Sequence, residues 1–206
     1  MEFKNFVSLN VAVIGDGNIS DRYTAALVAA GHEVYLAGKG ALNPLWAYAD
    51  NVTPCTIAEA ADVADFVIIA TQPKDVREVA YWLGDVRRKV IIDLTANIAS
   101  NDSEFFNTVG AIASITGAQH ITKVFNTNGY QQMLKPLFGG AEVEMILAGD
   151  SRKAKEITKI IAKEMGISLF YDFGDNTTLQ LFDEMTRCWR NIPPPDNAKV
   201  KKMKEA

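Results

Sequence analysis

The stretch Val11–Ser20, VAVIGDGNIS, places two glycines one residue apart directly after an apolar run. Ile19, Tyr23, Ala26, Leu27 and Ala30 then recur at helical spacing. The N-terminus of a helix leaves several backbone N–H groups without partners and carries about half a unit of positive charge. A phosphate satisfies both, provided no side chain keeps it away. In this reading Gly15 makes the tight turn after the strand, and Gly17 removes the Cβ that would block the approach. The third glycine position holds Ser20, small enough for close helix–strand packing, with a hydroxyl that can reach a phosphate. The chemistry expected is the gripping of a dinucleotide's pyrophosphate. Asp16, between the glycines, fits that role if its carboxylate points to solvent, the orientation expected here.

The second apolar strand chooses between nucleotides. A carboxylate about 20 positions after the first glycine accepts the ribose 2′-OH of NAD. Val34–Gly40 reads VYLAGKG and holds no carboxylate, whereas Lys39 offers an ammonium with Gly38 beside it. A 2′-phosphate is attracted by that charge, so NADP(H) is expected over NAD(H). The missing acid also argues against a methyltransferase, whose similar loop relies on one.

Candidates for proton transfer are few. His32 lies in the AGHEVY turn and reads as exposed; His120 precedes a strand at its entry edge. Tyr130 and Lys135 stand five apart, which is not the YxxxK pair of short-chain dehydrogenases. Tyr130 and His120 remain weak catalytic candidates, while Asp93 and Thr95 end a strand at the edge where open α/β sheets bind ligands. Trp46 is a candidate to stack near an adenine; Trp82 and Trp189 read as packing or interface residues. Cys55 and Cys188 form neither a disulfide framework nor enough ligands for a metal site, so no metal is expected.

These residues need a scaffold at their ends. Apolar runs at Leu9–Ile14, Glu33–Ala37, Asp65–Thr71, Lys89–Leu94, Ile121–Phe125, Val143–Ala148 and Ser168–Tyr171 read as strands, mostly covered on both faces. Helices are expected from Ile19 to a stop at Gly31, from Pro73 to Leu83, and from a cap at Asp150 or Ser151 to Gly166. The inner stripe of the second is Val76, Val79, Ala80 and Leu83; that of the third is Ala154, Ile157, Ile160, Ile161 and Met165. A last helix, about Thr177–Asn191, carries Leu181, Met185, Cys188 and Trp189, a face suited to a second subunit. Strand–helix alternation predicts a Rossmann-type, doubly wound, mostly parallel sheet with a small C-terminal helical extension. Residues 1–191 are expected to form one domain, and residues 192–206 a charged, proline-led tail.

Net charge is −4, which argues against a nucleic-acid binder, and no run of about 18 apolar residues is present to cross a bilayer. Without a secretory h-region at the N-terminus, a cytoplasmic location is expected.

The motifs occur in a familiar order. VAVIGDGNIS, GHEVYLAGKG, DFVIIATQPKDVREV, KVIIDLTANI and ITKVFNTNGYQQMLKP together resemble the NADPH-dependent coenzyme F420 reductase family and the related oxidoreductase domain of the STEAP metalloreductases. The similarity runs on through MILAGDSRKAKEITKIIAKEMG and YDFGDNTTLQLFDEMTRCWRNI, nearly the whole chain. It implies a short Rossmann domain, often dimeric, that binds NADP(H) and exchanges hydride with a flavin or a deazaflavin such as F420. Residue by residue, it implies that Gly15, Gly17, Asn18 and Ile19 form the phosphate loop. Gly38 and Lys39 stand where the family has a serine and an arginine. Thr71, Gln72 and Pro73 would run along the ribose and nicotinamide, and Asn126 and Thr127 would lie near the nicotinamide and the hydride acceptor. Ser20 and Asp16 depart from the pattern. Two rivals remain open: a carbonyl or imine reductase with Tyr130 or His120 as proton donor, and a non-catalytic module that senses NADP(H).

Overall fold

A computed structural model of the chain describes residues 8–95, 107–126 and 144–190; for residues 126, 144 and 185–190 the backbone alone is described. Eight strands form one sheet: β1 (Asn10–Ile14), β2 (Glu33–Ala37), β3 (Val52–Pro54), β4 (Phe66–Ile69), β5 (Val90–Asp93), β6 (His120–Asn126), β7 (Glu144–Ala148) and β8 (Leu169–Asp172). The helices are α1 (Asn18–Ala29), α2 (Ile57–Val63), α3 (Val76–Trp82), α4 (Thr108–Thr116), α5 (Arg152–Glu164) and α6 (Leu179–Arg190).

The strand order is β3-β2-β1-β4-β5-β6-β7-β8, parallel throughout except for the β6–β7 pair, so β7 and β8 run against the rest. This is the mostly parallel, doubly wound sheet expected. Val11, Ala12, Val13 and Ile14 are all 0% exposed, which is why β1 reads as an unbroken apolar run rather than an alternation. Its odd residues pack with Tyr23, Leu27, Ala154 and Ile161 under α1 and α5. Its even residues pack with Ala60, Val79, Ile112 and Phe182 under α2, α3, α4 and the start of α6. Each of the Val, Leu, Ile and Phe side chains among them contributes about 1.5–3 kcal/mol by leaving water.

Helix α1 ends at Ala29, and Gly31 turns the chain with φ 91°, a conformation that costs a residue with a Cβ dearly. Ser151 caps α5, its hydroxyl accepting from the Ala154 amide at 3.1 Å. The α3 stripe lies inward as predicted. Two other helix faces differ. Ile160 is 56% exposed, and Lys155 and Thr158 take buried positions of α5 instead. The Lys155 ammonium bonds the Asp172 carboxylate at 2.7 Å and the Gly174 carbonyl at 2.9 Å, which explains how a lysine occupies an inner face. On α6, Leu181 is exposed, and Leu179 and Phe182 pack inward, Phe182 edge-on to Phe125 and Phe173. Met185, Cys188 and Trp189 belong to the helix, but their side chains lie outside the described residues, as do residues 192–206.

Candidate nucleotide site

The carboxyl ends of β1, β2, β4 and β5 meet where the strand order turns back on itself, with β2 on one side of β1 and β4 on the other. The loop leaving β1 is wedged between its neighbours. The Gly15 amide donates to the Ala37 carbonyl at 2.7 Å, and the Ala70 amide donates to the Ile14 carbonyl at 2.8 Å. A Cβ on Gly15 would lie 2.6 Å from the Ala70 carbonyl oxygen, so no larger residue fits without moving backbone. Gly17 is different: a Cβ there would meet nothing within 4 Å. That backbone, the N-cap of α1, faces open space, and the first i→i−4 bond of the helix runs from the Asp21 amide to the Gly17 carbonyl. An anion therefore has room at the start of the first turn, beside Gly17, Asn18 and Ile19.

The Ser20 hydroxyl is committed elsewhere. It is 0% exposed, donates to the Gly17 carbonyl at 2.6 Å and accepts from the Gly17 amide at 3.1 Å. Instead of reaching for a phosphate, it closes the turn, and its Cβ would stand 3.1 Å from a Cβ on Gly15. Asp16 is exposed, yet its carboxylate does more than face solvent. It accepts from the Gly40 amide at 2.6 Å, tying the glycine loop to the loop after β2. Gly38 and Gly40 suit this approach, since a Cβ on either would crowd the Asp16 side chain.

Lys39 also has partners. Its ammonium donates to Asp75 at 2.7 Å and to Glu78, and it stands 5.9 Å from the centroid of the Trp82 ring. Hydrogen bonds to Asp75, then Glu78, hold its pKa above the ordinary lysine value. The pair connects the loop after β2 with the turn Pro73–Asp75 and α3, which follow β4. Thr71 and Pro73 are half-buried on that second loop and Gln72 is exposed. Trp46 lies in the turn Pro44–Tyr48; its indole N–H donates to Asp21 at 2.8 Å, and the Asn43 side-chain Nδ2 donates to the same carboxylate at 3.0 Å. The indole edge thus anchors the loop after β2 onto α1.

At the end of β5 a buried polar cluster has formed. Asp93 and Lys123, opposite each other in register, are 0% and 2% exposed. The Lys123 ammonium donates to Asp93 at 2.9 Å, to the Thr95 hydroxyl at 3.2 Å and to the Thr108 hydroxyl. Asp93 accepts further bonds from the Thr95 amide at 2.9 Å and from the Thr95 and Thr108 hydroxyls, each at 2.5 Å. Asp93 and Thr95 are among the candidates that the sequence offers; Lys123 and Thr108 are not, and the fold adds them. One available signal is a lysine between the apolar residues Ile121, Val124 and Phe125 of a strand, since a buried ammonium requires a carboxylate.

His120 begins β6, at the opposite edge of the sheet, with Nδ1 3.0 Å from the Ser151 hydroxyl. His32 corrects the expectation of an exposed turn residue. It is 1% exposed, its Nδ1 accepts from the Leu9 amide at 3.4 Å, and its Nε2 therefore donates to Glu164 at 2.9 Å. Asn126 ends β6, paired with Met145 of β7, but its side chain lies outside the described residues, together with Thr127 and Tyr130. Among the described residues no three His, Cys, Asp or Glu are grouped to hold a metal ion, and no helix is long and apolar enough to cross a membrane.

Residues 10–97 match the family described as NADP oxidoreductase, coenzyme F420-dependent. A sequence search of curated proteins finds no match. Among solved structures, a candidate F420-dependent NADP reductase from Arthrobacter sp. FB24 is 20% identical with a TM-score of 0.69, over 88% of this chain and 92% of that one. An imine reductase variant from Myxococcus stipitatus, in complex with NAD+, is 16% identical with a TM-score of 0.64, over 89% of this chain and 62% of its own. The 3-hydroxyisobutyrate dehydrogenase of Mycobacterium tuberculosis is 19% identical with a TM-score of 0.65, over 87% and 59%. In fold the chain stands with these Rossmann oxidoreductases, and through residues 10–97 it matches the coenzyme F420-dependent NADP oxidoreductase family.

Proposed function

We propose that the protein is an NADP(H)-dependent oxidoreductase that exchanges hydride with a flavin or deazaflavin acceptor. The observation that carries the reading is the contrast between the two loop glycines. Gly15 is locked between β2 and β4, while Gly17 opens onto free space at the head of α1. A loop needed only to join strand to helix has no use for the second opening; a pyrophosphate does. Gly17, Asn18 and Ile19 would hold the phosphates, and Lys39 would meet the 2′-phosphate, since no acid ends β2. The nicotinamide, once bound, supplies the hydride.

Among the described residues, the proton-donor candidates read from the sequence offer no acid or base at the end of β5; Tyr130 lies outside them. Asp93 and Thr95 are buried and bonded to Lys123 and Thr108, so neither reaches a substrate as an acid or base. His120 is at the other edge. Ring-to-ring hydride transfer asks for alignment rather than a proton donor, which favours a flavin-like partner. The matched family's description as coenzyme F420-dependent supports the same choice.

The test is calorimetric titration of NADPH and NADH into the parent protein and Lys39→Ala, with oxidation of NADPH followed on adding FMN or F420. Tighter binding of NADPH, a preference lost in Lys39→Ala, and turnover with a flavin-type acceptor are expected. Equal affinities in the parent would overturn the NADP assignment; tight binding without hydride transfer to either acceptor would favour a sensing module.

A further inference from the structure

Resting on that reading, we infer that Asp75 and Glu78 are specificity-determining residues that restrain the site's preference for the 2′-phosphate by competing with it for Lys39. The ammonium has three hydrogens, and two are already given to carboxylates, to Asp75 at 2.7 Å and to Glu78. Both acids come from the segment after β4, across from the loop that carries Lys39, so the pair straps the two loops together. Counting the three side chains, one cation faces two anions, for a local net charge of −1. Asp16 adds a third carboxylate on the amide of Gly40, the residue next to Lys39. A lysine recruited only to bind phosphate would be left free or placed among other cations. Here it stands in an acidic corner.

The electrostatics give the direction and the size. A phosphate oxygen bonded to Nζ at about 2.8 Å lies within about 5.5 Å of the Asp75 carboxylate, given the 2.7 Å bond already made. At that separation in a water-like medium, each carboxylate charge opposes each phosphate charge by about threefold in affinity. A 2′-phosphate carries close to two charges and faces two acids; with ordinary salt screening, neutralising both acids should improve its binding about tenfold. A nucleotide ending in a plain 2′-hydroxyl gains nothing from the change. The strap therefore lowers the ratio of NADP(H) to NAD(H) affinity without altering the pyrophosphate seat.

The experiment compares dissociation constants for NADPH and NADH in the parent, Asp75→Asn, Glu78→Gln, the double variant, and the double variant carrying Lys39→Ala. Thermal melts accompany each; Glu78→Gln alone, at an exposed position, keeps the test available if the double variant is unstable. The double variant should bind NADPH about tenfold more tightly, with NADH unchanged within about twofold, and most of the gain should vanish with Lys39→Ala. A parent that prefers NADPH while the neutral variants bind it equally or more weakly would overturn this inference and leave the proposed function standing. Failure of the parent and every variant to bind either nucleotide would overturn both.

Discussion

Alanine at each loop glycine separates folding from binding. In Gly15→Ala the new methyl would sit 2.6 Å from the Ala70 carbonyl oxygen and 3.0 Å from its carbon. Relief to an ordinary contact of about 3.4 Å needs a shift near 0.8 Å, and flexible side chains cannot absorb it because the obstacle is backbone. The shift pulls on the Gly15–Ala37 and Ala70–Ile14 hydrogen bonds that flank the loop. Overpacking of this kind costs about 1–3 kcal/mol, and weakening one hydrogen bond adds about 1 kcal/mol. For a chain of this length, the 2–4 kcal/mol total corresponds to a melting temperature lower by roughly 5–15 °C. Gly17→Ala meets no atom within 4 Å, and φ −118° is open to any residue. Its small loss as an N-cap is offset by reduced freedom of the unfolded chain, so stability should stay within about 0.5 kcal/mol. Its methyl, however, enters the space assigned to the phosphates, and nucleotide affinity should fall at least about tenfold. Differential scanning fluorimetry and calorimetric titration read the two effects separately. Parent-like nucleotide binding by Gly17→Ala would refute the phosphate seat, and a parent-like melt for Gly15→Ala would refute the wedge.

Two further outcomes test ion pairs, one buried and one half-exposed. Lys123→Met leaves the Asp93 carboxylate buried with hydroxyl and amide donors but no cation, and should cost about 3–5 kcal/mol in guanidinium unfolding; a loss under about 1 kcal/mol would mean that the three other donors suffice. Burial alone would raise the Asp172 carboxyl pKa, but the Lys155 ammonium and the Gly174 amide outweigh it and hold it below the usual range. A depressed carboxyl stabilises above its unfolded value, and that contribution is lost as pH falls through the folded value. Asp172→Asn should therefore lower stability by about 0.5–1 kcal/mol at pH 7, the carboxylate being half-exposed. The gap to the parent should close below about pH 4; a gap unchanged in acid would exclude the ion pair as its source.

Three short elements carry little periodic signal in the sequence, for reasons of size and composition. Strand β3 has three residues and ends in proline at the sheet edge, too little for a periodic signal. Helix α2 was announced by a capping box, Thr56 and Glu59, whose side chains bond each other's backbone amides. Helix α4, TVGAIASIT, mixes β-branched residues and glycine, so propensity gave no clear period; Asn107 caps it and burial fixes it.

Composition and spacing alone settled the strands of the sheet's centre, the helix that follows β1, and the glycine turn between them. Those features depend on local periodicity and on what a residue without a Cβ permits, both written in consecutive residues. Tertiary structure decided the fate of the charges. Lys39 meets Asp75 and Glu78 from 36 and 39 positions away, Asp93 meets Lys123 from 30, and His32 meets Glu164 from 132. An ionised or hydrogen-bonding group is defined by what stands opposite it, and in a parallel sheet with crossover helices that neighbour comes from a distant part of the chain.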